Sequence, residues 1–491
     1  MIAGRRPYPA YKDSGVEWLG EVPEHWETSK IKSLARPGHK TFVDGDWIES
    51  PYITSGGVRL IQTGNIGVGE YKEKGFRYIS EETFKNFGCT EIEPGDVLIC
   101  RLGEPVARAC LAPQLGSRMI TSVDVCILKL RDDTSAQFLV YSMSSCRYLD
   151  WVGSLVRGST RDRVSRSMLG AFSVPIPPLP EQTAITHFLD YIDRRIQRYI
   201  QAKQKLITLL EEQKQAIIHQ AVTGQIDVRT GQPYPAYKDS GVEWLGGVPE
   251  HWEARKLTWV ARQETGHTPS RKVDAYWVPE ECVIPWVSLA DVWQLRSGEV
   301  VFIEETKEKV SEVGLANSSA RLLPKDTVIL SRTASVGFPA VLGAPMATTQ
   351  DFAAWICGPA LRPKFLYFVL LAMRSEFHRL MMGSTHQTIY MPDIRAFRTP
   401  LPSVNEQDEI CANLEAVMQR IRQRSRAVQA SIDLLNEYRT RLISDVVTGK
   451  LDVREAAARL PEADPLETED DSADIYEPAE ELEAIAEEVE A

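Results

Sequence analysis

The sequence lacks the patterns that mark membrane, secreted and metal-binding proteins. No run of about 18 apolar residues could form a membrane span, and the first 20 residues lack the apolar stretch of a signal peptide. The eight cysteines form no Cys-x-x-Cys pair and no Cys/His cluster with metal-ligand spacing. We therefore expect reduced thiols, a cytoplasmic location and no metal site.

Motifs for catalysis are also missing. The chain contains no GxxxxGK[ST] phosphate-binding loop, no [DN]PP[YF] tetrapeptide of amino-methyltransferases and no paired-carboxylate pattern of nucleases. His25 and His251 each precede a tryptophan, Trp26 or Trp252, which favours a packing role over catalysis. The sequence therefore argues against a self-sufficient nuclease or methylase and predicts a protein without a catalytic site.

Negative charge is confined to one end of the chain. The net charge is −12, but residues 455–491 hold 15 acidic residues and one basic residue, and the rest of the chain sums to +2. So polar a segment cannot bury a core, and we expect a disordered acidic tail. The nearly neutral body is compatible with DNA binding through local basic faces.

The 491 residues contain one unit written twice. Residues 7–27 and 233–253 agree at 20 of 21 positions, and residues 221–229 (AVTGQIDVR) resemble 446–454 (VVTGKLDVR). Each half thus has a constant opening segment, a variable body and a constant closing segment.

The variable bodies, roughly 28–157 and 254–382, predict compact α+β domains. Short apolar and β-branched runs alternate with glycine and proline, as in domains of several short strands. The predicted elements are strands at 58–61, 96–100, 124–130, 327–330 and 352–356, and a short helix at 364–373.

The closing segments predict two helices of about 40 residues, beginning at Glu181 and Glu406. Apolar residues recur in both at spacings of three and four, which favours pairing of the helices as a coiled coil. The predicted buried positions are Ile185, Leu189, Ile192, Ile196, Tyr199, Leu206, Leu210 and Ile217, then Ile410, Leu414, Val417, Ile421, Val428, Leu435, Tyr438 and Leu442.

Candidate DNA-contacting residues lie in a Gly-Ser-Thr loop of each half. Small residues let a backbone approach a phosphate, and the neighbouring side chains are long enough to reach base edges. A copied hairpin or helix-capping turn is the structural alternative. The candidates are Arg157, Ser159, Thr160, Arg161, Arg163 and Arg166 in the first half and Ser384, Thr385, His386, Gln387 and Tyr390 in the second.

Further candidates follow predicted strands. Arg101 and Arg332 each stand at the end of a strand that we expect to be buried, where they would contact DNA or form an internal salt bridge. Gln62 and Asn65 follow the strand at 58–61 and form another polar cluster.

Four features together resemble type I restriction–modification specificity subunits: the block KDSGVEWLGEVPEHWE, the PIPPLPEQTAI entry into a long helix, the VTGQIDVR exit and the tandem arrangement. The resemblance covers nearly all of residues 7–454. It implies two target-recognition domains (7–175 and 233–400), each for one half of a bipartite, asymmetric DNA site. It also implies two helical spacers (176–232 and 401–454) that form an antiparallel coiled coil, followed by the tail (455–491).

The resemblance further implies that partners carry the chemistry. Two methyltransferase subunits and a restriction/translocase subunit would bind this chain, and S-adenosylmethionine, ATP and Mg²⁺ would belong to them. The sequence departs from the pattern in its acidic tail and at residues 402–405, where PSVN replaces PPLP. The alternative interpretation is a duplicated coiled-coil scaffold whose variable domains bind proteins or small ligands.

Overall fold

The computed structural model describes residues 6–156, 162–296, 298, 301–381 and 387–461. The chain divides into two compact units, the first comprising residues 1–202 and 430–491 and the second residues 203–429. Both units mix helices and strands, as the predicted α+β class requires.

The first half of the chain supplies eleven described strands and five helices. The strands are β1 (Tyr11–Asp13), β2 (Glu21–Pro23), β3 (Glu27–Lys30), β4 (Phe42–Asp44), β5 (Val58–Ile61), β6 (Tyr78–Ile79), β7 (Val97–Cys100), β8 (Ala109–Leu111), β9 (Met119–Thr121), β10 (Val125–Leu128) and β11 (Ser173–Ile176). The helices are α1 (Glu81–Phe87), α2 (Ala136–Ser144), α3 (Cys146–Val156), α4 (Arg166–Ala171) and α5 (Leu179–Val222).

The second half supplies twelve described strands and eight helices. The strands are β12 (Tyr237–Asp239), β13 (Gly247–Pro249), β14 (Glu253–Lys256), β15 (Ala261–Thr265), β16 (Ile284–Val287), β17 (Phe302–Ile303), β18 (Glu308–Val310), β19 (Val328–Ser331), β20 (Pro339–Leu342), β21 (Ala347–Thr348), β22 (Phe352–Cys357) and β23 (Arg398–Leu401). The helices are α6 (Leu257–Val260), α7 (Val292–Leu295), α8 (Glu312–Ala316), α9 (Pro363–Ala372), α10 (Arg374–Leu380), α11 (Met391–Arg395), α12 (Val404–Val447) and α13 (Arg454–Ala457).

The two bodies share one topology. The antiparallel sheet β4-β10-β7-β8 of the first unit corresponds to β15-β22-β19-β20 of the second, which adds β17 at its edge. The three-stranded sheet β6-β5-β9 corresponds to β18-β16-β21, and each contains one antiparallel and one parallel pair. The duplication therefore extends through the variable bodies, where the sequences have little in common.

The predicted strands form the centres of these sheets. The run at 58–61 is β5, the runs at 96–100 and 124–130 contain β7 and β10, and the runs at 327–330 and 352–356 each end one residue before β19 and β22 do. Every residue of β5, β7, β10 and β19 is buried, which explains why β7 and β10 are continuous apolar runs without alternation. Helix α9 lies within one residue of its predicted bounds.

The two long helices, α5 and α12, have 44 residues each. Residues 179–202 of α5 share the first unit with residues 430–447 of α12, and residues 203–222 share the second unit with 404–429. In the first unit Arg439 of α12 donates to Asp193 of α5. The beginning of one helix therefore belongs with the end of the other, as the predicted antiparallel pairing requires.

The predicted apolar stripe is correct at the helix beginnings and wrong in places farther along. Ile185, Leu189, Ile192 and Ile196 are buried, but Leu206 is 43% exposed. Burial shifts by one residue, from Tyr199 to Ile200, from Ile217 to Ile218 and from Val417 to Met418, and Val428 is half-buried. A strict seven-residue repeat drifts around a helix with 3.6 residues per turn, so the buried face moves along a straight helix.

Glycines end both long helices. Gly224 and Gly449 have φ values of 72° and 76°, the left-handed conformation that favours glycine at a helix C-terminus. A Cβ atom on Gly449 would lie 2.2 Å from Pro23 Cδ, and one on Gly224 would lie 2.4 Å from Pro249 Cδ. The copied Val-Thr-Gly segment thus packs against the copied Pro-Glu-His-Trp segment.

Part of the predicted acidic tail is folded. Residues 454–457 form α13, and Ala456 and Ala457 are buried, so the charge shift at 455 placed the boundary too early. Three small apolar residues in a row are enough to dock one helical turn. Residues 462–491 lie outside the described residues.

All eight cysteines are free thiols, as the absence of paired spacings predicts. Burial is the main cause that raises the pKa of Cys110 and Cys126, in both cases to about 12. Within the described residues, no helix is long and apolar enough to cross a membrane.

Candidate nucleic-acid interface

A buried glutamate at the start of α5 anchors the first opening segment to the long helix. Glu181 is 6% exposed and accepts hydrogen bonds from Tyr8 Oη at 2.7 Å and Trp26 Nε1 at 3.0 Å. His25 Nε2 lies 2.7 Å from its other oxygen. Burial, followed by the hydrogen bond to Glu181, raises the pKa of Tyr8, so the phenol keeps the proton that it donates.

The second unit repeats this cluster. Glu406 accepts from Tyr234 Oη at 2.7 Å and from Trp252 Nε1 at 3.1 Å, with His251 Nε2 at 3.2 Å. Both tryptophans are fully buried, which confirms the packing role predicted for the two Glu-His-Trp segments. The copied residues therefore fasten each opening segment in the same way to the start of a long helix.

In the first unit, residues 162–164, which follow the Gly-Ser-Thr motif in sequence and are called the returning loop below, lie against the end of strand β7. Leu102 and Arg163 form an antiparallel bridge, and Gly103 N donates to Asp162 O at 3.0 Å. The strand end and the loop thus form one surface. In the sequence, their residues were only separate candidates.

The second unit builds the same bridge with different side chains. Thr333 and Thr388 pair, and Ala334 N donates to Gln387 O at 3.0 Å. Asp162-Arg163 of the first unit is therefore replaced by Gln387-Thr388, while the backbone connections are kept. Tyr390, just beyond the bridge, is 54% exposed.

Arg101 is held by partners within the first unit. Its side chain is 5% exposed, and its Nε lies 2.9 Å from Asp44 Oδ1. The two terminal nitrogens donate to Val164 O at 3.2 Å and Val123 O at 2.7 Å. The internal salt bridge, one of the two predicted alternatives, forms, and each of the three guanidinium nitrogens has a partner within the protein.

Arg332 occupies the same place in the second unit. It is half-buried, and it donates to Gln350 O at 3.0 Å and to Ile389 O at 3.4 Å. The loop carbonyl at Ile389 corresponds to Val164 in the first unit. Both arginines thus fasten the returning loop to the end of the central strand.

Arg163 and Arg166 line an open cleft of about 870 Å³ in the first unit. Their side chains are 52% and 44% exposed. Asp124 holds Arg163 at 2.7 Å, and Asp44 lies 3.7 Å from Arg166. A carboxylate that fixes one edge of a guanidinium leaves the other edge oriented for a bidentate contact. Lys32 adds a further positive charge to the cleft lining.

Asn65 does not present its side chain to a ligand. It is 2% exposed, its Oδ1 accepts from Gln62 N, and its Nδ2 donates to Lys72 O and Lys74 O at 2.8 Å. This corrects the prediction of a DNA contact, because all of its hydrogen-bonding groups are used within the protein. Gln62 is half-buried and lines a neighbouring cleft.

Seven predicted residues lie outside the described residues. They are Arg157, Ser159, Thr160, Arg161, Ser384, Thr385 and His386. Of the others, the structure places Arg163, Arg166, Gln387 and Tyr390 at or beside the returning loops.

A second group of cationic residues in the first unit was not predicted from the sequence. A cleft of about 500 Å³ is lined by Trp47, Gln62, Lys74 and Arg77, and it shares Val123 with the larger cleft. The signal available in the sequence was the run Lys72-Glu73-Lys74-Gly75-Phe76-Arg77, a basic turn with a central glycine. No periodicity connects this turn with Trp47, which lies three residues beyond the end of β4.

Comparisons with known proteins agree with this architecture. The model of the type I restriction modification DNA specificity domain matches residues 23–209 and 249–429. The MjaIX type I restriction enzyme specificity subunit of Methanocaldococcus jannaschii is 27% identical over 172 residues, 35% of this chain and 38% of that protein. The EcoR124I/EcoR124II specificity subunit of Escherichia coli is 24% identical over 200 residues, 40% of this chain and 46% of that protein. The chain thus spans less than half the length of these two relatives.

Longer matches exist at lower identity. The EcoBI specificity subunit of Escherichia coli is 19% identical over 73% of this chain and 74% of that protein. A chain solved in a study of complex assembly and conformational transition of the type I R-M system has a TM-score of 0.62 at 17% identity, covering 87% of this chain and 98% of its own length. This likeness shows the fold. Because the domain model matches both repeats and most of the chain, the chain belongs to the family of type I restriction–modification DNA specificity proteins.

Proposed function

We infer that this chain selects the DNA sequence for a type I restriction–modification complex. Each unit contacts one half of a bipartite, asymmetric site, and partner subunits methylate adenine or cut the DNA. The chain itself supplies recognition without catalysis. S-adenosylmethionine, ATP and Mg²⁺ act in the partners.

The main support for this proposal comes from the returning loop, which occurs in both units with the same backbone hydrogen bonds but with different side chains. Arg163 and Arg166 line a cleft in the first unit, whereas Gln387 and Tyr390 stand near the matching bridge in the second. Arginine pairs with guanine in the major groove and glutamine with adenine, so two such loops select different sequences. An asymmetric target follows from this difference.

Docking of two copies of one partner is supported by the copied opening segments. Packing requires only their buried residues, yet exposed ones are also identical, including Lys12 and Lys238, Asp13 and Asp239, and Glu17 and Glu243. Two identical exposed surfaces fit two copies of the same partner, which we propose to be the methyltransferase subunit. The restriction/translocase subunit completes the complex.

Co-expression with the methyltransferase subunit in a methylation-free host tests the proposal. Single-molecule sequencing should find methylated adenine at one bipartite motif. A chimera in which another family member's body replaces residues 254–400 should keep one half-site and change the other.

Two outcomes would contradict the proposal. Binding of the complex to random duplex pools without enrichment of any sequence would favour the duplicated scaffold. Methylation or cleavage of DNA by this chain alone would show that it is catalytic.

A further inference from the structure

We propose that the smaller cleft of the first unit is a second DNA-contacting surface, in which Trp47 touches bases and Lys74 and Arg77 bind phosphates. This rests on the proposed function and adds a specificity-determining residue that lies far in sequence from the Gly-Ser-Thr loop.

Trp47 is exposed on a fixed backbone. Its side chain is 71% exposed, although the preceding residues are bound to the core. Gly45 N donates to Val125 O at 2.9 Å and Asp46 N to Thr121 O at 2.8 Å. A Cβ atom on Gly45 would lie 2.4 Å from Thr121 O, so only glycine permits this close approach. A large apolar side chain held rigidly in solvent contributes nothing to the core and is suited to contact a partner.

The basic turn, residues 72–77, lines the same cleft as Trp47, and the buried side chain of Arg59 holds it in place. This residue is 1% exposed and donates to Lys74 O at 3.1 Å, Arg77 O at 3.2 Å and Gly75 O at 3.4 Å. Phe76 and Tyr78 cover the guanidinium, with ring centroids 5.3 and 5.4 Å away. A buried arginine is costly, and here it is used to fix the carbonyl groups of a surface turn.

The side chains that this turn displays are free to bind an anion. Lys74 and Arg77 are exposed and form no ion pair with any described residue. They line the same cleft as Trp47 and Gln62, next to the cleft of Arg163 and Arg166. Two cations beside a rigid indole match the chemistry of DNA, in which phosphates flank the faces and edges of bases.

The test uses the complex of this chain with the methyltransferase subunit and its mapped target duplex. Trp47→Ala should weaken binding at least tenfold, leave the salt dependence unchanged and relax the methylated motif at one position of one half-site. Trp47→Phe should retain part of the affinity. Lys74→Gln with Arg77→Gln should lower the slope of log K against log salt by about 2, since each phosphate contact contributes about 0.9.

Trp259→Ala is the matched control, because Trp259 is 68% exposed but belongs to the other unit. It should leave the half-site that Trp47 affects unchanged. The inference is overturned if the wild-type complex is sequence-specific and Trp47→Ala matches it in affinity and motif, or if Trp47→Ala loses affinity only by lowering the melting temperature. A wild-type complex without sequence preference would overturn the proposed function as well.

Discussion

Asp452 N donates a 2.7 Å hydrogen bond to Arg6 O, so residues 446 positions apart in the chain form an antiparallel bridge. The same bridge joins Asp227 and Gln232 within one short loop, where Asp227 N donates to Gln232 O at 2.8 Å. The segment after the C-terminus of α12 thus contacts the start of the first opening segment, just as the segment after the C-terminus of α5 contacts the start of the second. The repeat predicts this contact, because residue 229 joins residue 233 through only three residues and a duplicated unit should leave a similarly short gap between residues 454 and 7. The bridge between Arg6 and Asp452 confirms the prediction.

Because the two ends of the repeated unit lie close together, the chain should tolerate circular permutation, with new termini placed at the junction between the two halves. The test is a permuted chain that begins at Gly231 and ends at Thr230. It omits the tail beyond residue 457, and a copy of Thr-Gly-Gln links the original C-terminal part to the original N-terminal part. This chain should fold. It should direct methylation to the same motif, because both bridges are retained. Circular dichroism melting and methylation mapping would check this.

A chain opened inside β22, a central strand, is the control and should not fold. Loss of folding in the first permuted chain with retention in the second would contradict the prediction.

Removal of the anchoring glutamate should be costly. Glu181→Ala leaves Tyr8 and Trp26 without their buried acceptor, and each unpaired donor costs about 1–3 kcal/mol. We expect a loss of about 2–5 kcal/mol in the free energy of unfolding, measured by chemical denaturation. Glu24→Ala changes an exposed glutamate of the opening segment that contains Tyr8 and Trp26, and it should be nearly neutral. Equal effects of the two substitutions would show that the cluster contributes no stability.

Arg161 and Arg163 are predicted to affect DNA binding and not folding. Replacing both by Ala should weaken binding by about 1–3 kcal/mol if one of them makes a bidentate guanine contact. The 52% exposure of Arg163 supports this expectation, and Arg161 lies outside the described residues. Fluorescence anisotropy with the target duplex would measure the effect. Unchanged binding with a lowered melting temperature would instead assign Arg163 a structural role through Asp124.

The long helices are predicted to set the distance between the half-sites. Four residues inserted after Lys203 and four after Val428 add about 6 Å to each helix and nearly one turn. Both positions lie where the helices pass from one unit to the other, at 202/203 and 429/430. The nonspecific spacer of the methylated motif should grow by one or two base pairs, with both half-sites unchanged.

Methylation mapping of the inserted variant tests this dependence. An unchanged spacer in a folded, methylating complex would show that helix length does not set the spacing. A changed half-site would mean that the domain boundaries drawn from the sequence are wrong. A single insertion, after Lys203 alone, is the control and should disturb the pairing of the helices.

The duplication, the central strands and the two long helices follow from the sequence alone. Short apolar runs such as Val97–Cys100, bounded by glycine and charged residues, favour buried strands, and apolar residues at spacings of three and four favour a helix that ends at glycine. The copied segments also revealed the framework, because identity between repeats can be read without coordinates.

Only the tertiary structure decided which polar residues are available to a ligand. Arg101 and Asn65 are as polar in sequence as Arg163, but both are buried. Arg101 donates to carbonyl groups 22 and 63 residues away, and both amide protons of Asn65 are used by carbonyl groups of a nearby turn. The cleft of Trp47, Lys74 and Arg77 could not be predicted, because it joins the end of one strand to a turn between two others. Burial and hydrogen-bond partnership depend on contacts distant in the chain, and local patterns contain no information about them.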